Sequence, residues 1–122
     1  MAAASAASAQ SSGKEAFQSH CALCHGLDGR GFGPLADAMK LTPTDLTRLA
    51  ARNNGEFPAN KVTDIIRNGG AVLGHGSSAM LAWGNYFAAK GKPKVAKERI
   101  ADLVAYIKSL SRNNALLAPS AH

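Results

Sequence analysis

Both cysteines of the chain stand in Phe17-Gln-Ser-His-Cys21-Ala-Leu-Cys24-His25-Gly26, two residues apart, and a histidine follows the second directly. Thiolates and imidazoles serve as metal ligands, redox groups and attachment points, so several chemistries compete for this spacing. A zinc site takes four ligands, and the second pair is missing, because His20, His75 and His122 show no paired spacing. A Cys-x-x-Cys redox pair belongs in a strand–helix–strand setting, and no alternating run of four or more residues marks a strand here. A disulfide across two intervening residues closes a loop too small to remove much chain entropy. The remaining chemistry uses all three residues together. In Cys-x-x-Cys-His each thiol adds to one vinyl group of a haem, and the adjacent histidine reaches the iron. The vinyls lie on neighbouring pyrroles, so the two attachment points need a short bridge. Cys21, Cys24 and His25 are therefore read as a covalent haem site, and His20 as a solvated surface histidine.

The sixth iron ligand decides between electron transfer and ligand chemistry. Met1 lies in the N-terminal tail, which leaves Met39 and Met80, with His75 as the outsider. Met39 shares the apolar spacing of "LADAMKL" and reads as a core residue. Met80, in the irregular "LGHGSSAMLAWG" far along the chain, has no helical stripe to belong to, and reads as the ligand.

These residues must be positioned by a chain of 122 residues, enough for one modest core. Aromatics are only 6 % of the residues, so a bound macrocycle is a reasonable centre for the fold. Residues 1–12, almost wholly Ala, Ser and Gln, read as a disordered leader or signal-peptide remnant; Ala7-Ser8-Ala9 has the small-x-small form of a processing site. Residues 13–112 form the domain, and 113–122 read as a flexible C-terminal tail. Ser12 caps a helix that ends near Cys21, and the glycines of "HGLDGRGFGP" exclude regular structure after it. A short helix is expected in "TDLTRLAAR" and another, capped by Asn60, in "KVTDIIRNGG". The clearest element is "AKERIADLVAYIKSL", where Ile100, Leu103, Val104, Ile107 and Leu110 make one stripe. The class is all-α. The net charge of +6 and pI near 9.7 favour an acidic partner surface, an anionic membrane or nucleic acid, without choosing among them. Lys90, Lys92, Lys94, Lys97 and Arg99 crowd ten residues with Glu98 as the sole acid, which fits a docking face or a merely solvated one. No apolar run approaches the ~20 residues that span a bilayer.

With the haem motif, the Gly-Pro pair of "HGLDGRGFGPLA", "TPTDLTRLA", "GEFPANKVTDIIRNGG", "HGSSAMLAWG" and "LVAYIKSL" in order, the chain resembles the monohaem class I cytochromes c of bacteria from about Gly13 to Leu110. That resemblance implies a small all-α fold of four to five short helices and loops wrapped around one covalent haem c. It implies His25 as proximal ligand, with the carbonyl of Pro34 accepting from its other ring nitrogen, although Pro34 serves equally well as a loop stiffener. Met80 is implied as distal ligand, and Trp83 as packed on the haem near a propionate or simply packed in its loop. Gly13 and Phe17 are implied to cross the last helix near Tyr106. Proline often follows the ligand methionine in related sequences, whereas Leu81 stands here. The implied function is one-electron transfer between donor and acceptor redox proteins in the periplasm, with no substrate transformed and no nucleic acid bound. The alternative is a haem enzyme subunit or gas sensor with an open or labile sixth site.

Overall fold

The computed structural model describes residues 11–38, 40, 43–70 and 80–117, excepting the side chains of Lys90 and of residues 112–117. In chain order its helices are α1 (11–25), α2 (Pro34–Ala38), α3 (Ala59–Asn68), α4 (Trp83–Lys90) and α5 (Pro93–Leu117), with 3-10 turns at Leu46–Arg48 and Ala51–Asn53. No strand occurs among the described residues. The all-α class expected from the apolar spacing is the class observed.

The stripe on α5 forms the centre of the core. Ile100, Leu103, Val104, Ile107 and Leu110 are all buried, and Phe17, Val62, Ile66 and Phe87 join them from the other helices. Helices α3, α4 and α5 pack on one another pairwise. Helix α1 meets α5 at Gly13, where an added Cβ would strike the Asp102 carbonyl and come within 3.0 Å of the Tyr106 Cβ. The missing side chain lets the two backbones touch, and the Phe17 and Tyr106 rings then pack with centroids 5.3 Å apart. The crossing implied by the family resemblance is present.

Helix α1 runs further than expected. It does not stop near Cys21 but continues through both cysteines to His25, and Gly26, at φ 84°, ends it in a conformation that favours glycine. The last turn survives because the glycine-rich loop folds back onto it. The amides of Gly26, Gly31 and Gly33 donate to the carbonyls of Ala22, His25 and Cys24 at 2.8, 2.7 and 3.0 Å. Carbonyls at a helix end need such partners. A π turn at Phe17–Cys21, closed by Ala22 N–H on the Phe17 carbonyl, sits in the middle of α1. Each extra residue in such a turn rotates the downstream part of the helix by about 100°, so the buried Phe17 face and the cysteine face are set independently.

Other departures are local. "TDLTRLAAR" forms two 3-10 turns, the first capped by Asp45, whose carboxylate accepts from Thr47 N–H at 2.9 Å. Pro58, not Asn60, precedes α3. Helices α2 and α4 carry no clear sequence signal: α2 is one short turn, and the three aromatics of α4 are interrupted by Gly84. Helix α5 extends to Leu117, past the expected boundary at 112. Met39 and His75 lie outside the described residues.

Replacing Gly13 by Ala tests the crossing. In an open helix the change gains up to about 1 kcal/mol; here overpacking against Asp102 reverses the sign, and denaturant unfolding is expected to show a loss of about 1–3 kcal/mol.

Candidate haem site

Cys21 and Cys24 are three positions apart at the end of α1, a spacing that puts both on one helix face. Both thiols are free, Cys21 buried and Cys24 half-buried. Burial, and secondarily the neighbouring Cys24, pushes the Cys21 thiol up to about 12, so it is held as the neutral thiol.

His25 follows on the same turn. Its Nδ1 lies 3.0 Å from the Thr44 carbonyl oxygen. A carbonyl only accepts, so Nδ1 carries the proton and the neutral ring presents its Nε2 lone pair elsewhere. Burial lowers the His25 pKa, opposed by the bond to Thr44, and this favours the neutral form that a metal needs. The acceptor is itself fixed. Leu46 N–H donates to the Gly29 carbonyl at 2.7 Å, and the Arg52 guanidinium donates to the Asp45 carbonyl at 2.9 Å, so the segment at Thr44 is tied to the glycine loop and to its own turn. Pro34, the acceptor implied by resemblance, instead heads α2, where helical geometry directs its carbonyl along the axis of that helix. Its companion Gly33 caps Cys24.

Met80 re-enters the described structure beside the end of α3. Its carbonyl accepts from Gly70 N–H at 3.4 Å, and its half-buried side chain packs against the core. Trp83 is not a loop residue but the first residue of α4, half-buried against that core. His20 is no solvated histidine either. Its ring is surrounded by Trp83, Tyr86 and Phe87 at centroid distances of 5.2, 5.1 and 5.6 Å, beside a groove of about 210 Å³ lined also by Val95 and Arg99. Nothing in the spacing of "FQSH" signals this, because the partners come from a helix more than sixty residues away in sequence. Large apolar side chains are exposed next to the motif and next to Met80, namely Leu23, Leu27, Phe32 and Leu81, with Phe32 at 86 %. Four large exposed apolar side chains so close in sequence to the motif and to Met80 suit a site that an apolar group covers. Among the described residues no three His, Cys, Asp or Glu side chains converge on a metal position.

Two free thiols on one helix turn, an imidazole whose outer nitrogen has no hydrogen-bond partner among the described residues, and exposed apolar side chains close by in sequence fit a covalently attached porphyrin. Comparison with known families decides the matter: the model of the Cytochrome c family matches residues 10–111. The chain belongs to the cytochrome c family. With the family comes the cofactor, a covalently attached haem c with its iron, and the general role, a haem-based electron carrier that works with redox proteins. No curated protein and no solved structure matches this cytochrome c significantly. Among the described residues no helix is long and apolar enough to cross a membrane.

The His20 environment has a pH signature. Burial, and secondarily the charge of Arg99, lower the His20 pKa below 6.5. The unfolded chain therefore takes up a proton at this residue before the folded one does. Its contribution to stability is complete above pH 6.5 and declines as pH falls through the lowered value. Urea unfolding at pH 7 and pH 5 is expected to show a smaller stability difference for His20→Gln than for the unaltered protein.

Proposed function

We propose that the haem is joined to Cys21 and Cys24 through thioethers, that His25 Nε2 and the Met80 sulfur are its axial ligands, and that the protein carries single electrons between a donor and an acceptor protein in the periplasm. The observation that carries this reading is the hydrogen bond from His25 Nδ1 to the Thr44 carbonyl, which orients the ring and frees its other nitrogen on the same turn as both thiols. When bound, haem iron supplies the chemistry, accepting one electron and returning it. The chain supplies the rest. Thr44 holds the imidazole, the capped end of α1 holds the attachment points, and the core under Met80 keeps water away. A thioether ligand favours the reduced iron, which raises the potential relative to a pair of histidines. Trp83, half-buried at the start of α4 three residues after Met80, is read as packing on the haem near a propionate. Thioether attachment and the processing-site form of Ala7-Ser8-Ala9 support the periplasmic location.

Denatured protein from cells with haem-ligation machinery is expected to retain the mass of one haem. The native protein is expected to be low-spin, with the weak long-wavelength band of sulfur on ferric iron and poor binding of carbon monoxide. Met80→Ala removes the band and opens the iron, whereas Met39→Leu preserves the spectrum at a cost below about 1.5 kcal/mol. A high-spin protein that binds carbon monoxide readily makes the sensor or enzyme reading the better one.

For the partner we propose an acidic docking surface. Lys92, Lys94, Lys97 and Arg99 are all exposed around the start of α5, with Glu98 among them. Attraction between such surfaces weakens as the Debye length shrinks from ~10 Å at 0.1 M salt to ~3 Å at 1 M. Reduction by the donor protein is expected to slow over that range, and to slow at low salt when Lys92 and Lys94 are changed to Glu. Rates indifferent to both would leave the cluster a solvated face.

A further inference from the structure

We propose that His20 is a positioning residue for Met80, acting through Trp83; the proposal rests on the reading of Met80 as the sixth ligand. Helix α4, which begins three residues after Met80, is poorly held by its own sequence. Ala82 stands at its N-cap with an extended backbone and offers no side-chain acceptor to the first amides. Eight residues are too few to make a stable helix in water, so tertiary contacts must fix where α4 starts.

Those contacts come from three sides. Helix α5 packs along α4, and Phe87 is buried in the core centred on α5. Gly84 seats the first turn on α3, where its added Cβ would lie 2.9 Å from the Arg67 carbonyl oxygen. The His20 ring seats it on α1, touching Trp83, Tyr86 and Phe87 at 5.1–5.6 Å. These three side chains follow the i, i+3, i+4 rule, so one ring engages three residues along one face of α4. Among the described residues the chain at Met80 is held besides by its own half-buried side chain on the core and by the close approach of Gly69, whose added Cβ would lie 3.0 Å from the Met80 carbonyl oxygen. Leu81 is 62 % exposed, and the backbone bond from Gly70 to the Met80 carbonyl is long at 3.4 Å. His20 is bonded in sequence to Cys21, on the helix that also carries Cys24 and His25. It thereby couples the attachment end of the site to the segment that delivers Met80. Loosening α4 from α1 leaves it seated on α3 and α5 but lets its first turn, and the Met80 segment ahead of it, shift without unfolding the core on α5.

The test uses the haem-loaded, oxidised protein. An aromatic contact of this kind shifts an equilibrium by roughly two- to tenfold. His20→Ala is therefore expected to weaken the sulfur–iron band and to speed cyanide binding by up to about tenfold, while His20→Phe, which keeps a ring, holds both near the unaltered values. His20→Leu, with apolar bulk and no ring, is expected to behave like His20→Ala, and it carries the test if the alanine protein does not fold. A full band and an unchanged cyanide rate in the ringless variants would overturn the proposal, as would a phenylalanine variant as impaired as the leucine one. Met80→Ala is measured alongside. If the unaltered protein lacks the band, or Met80→Ala keeps it, the ligand assignment falls and this proposal with it; if Met80→Ala behaves as expected and the His20 variants do not, only the role of His20 falls.

Discussion

A carbonyl oxygen has lone pairs and no proton, so the contact between Thr44 and His25 admits one arrangement, with the proton on Nδ1 and a lone pair on Nε2. An imidazole free to exchange tautomers would present a donor nitrogen to a metal for part of the time. Here a main-chain atom makes the choice, and no side-chain substitution removes that atom. Its position depends in turn on the bond from Leu46 to Gly29 and on the Asp45 turn, where the carboxylate also accepts from the Thr47 hydroxyl at 2.6 Å. The chemistry of one nitrogen is thus tied to a loop about twenty residues away.

Helix α1 is held at both ends by different means. Near its start, Gly13 allows main-chain contact with α5, and Phe17, fully buried, fills the space beside Tyr106. At its end, three loop amides cover carbonyls that would otherwise need water. The π turn lies between these anchors and absorbs the difference in phase between them. An electron carrier benefits from such fixing, because ligands already in place need little rearrangement when the charge on the iron changes by one.

The apolar residues left bare around the site have a related meaning. Leu23, Leu27, Phe32 and Leu81 contribute little to the packed core on α5, yet they cluster in sequence around the attachment motif and Met80. A chain of this length with few aromatics has a limited interior of its own. The covalently attached haem c of the cytochrome c family brings apolar surface of its own, a suitable partner for such side chains.

Elements with local signals are legible in the residues alone. The stripe from Ile100 to Leu110 announces α5 because apolar side chains at 3.6-residue spacing have one buried face available to them. The Cys-x-x-Cys-His spacing announces the cofactor because it is matched to the porphyrin and not to the rest of the chain. The all-α class follows from the absence of alternation. The partners of His25 and His20, by contrast, are settled only in the folded chain. The acceptor at Thr44 is main chain, identical in every residue type, so composition carries no trace of it. Helix α4 escapes a reading by pattern because its three aromatics, split by Gly84 and lacking a cap, gain their stability from packing on α5, from a ring on α1 and from the backbone of α3. Contacts between segments far apart in sequence leave no periodicity in either one, and they exist only once the chain has closed on itself.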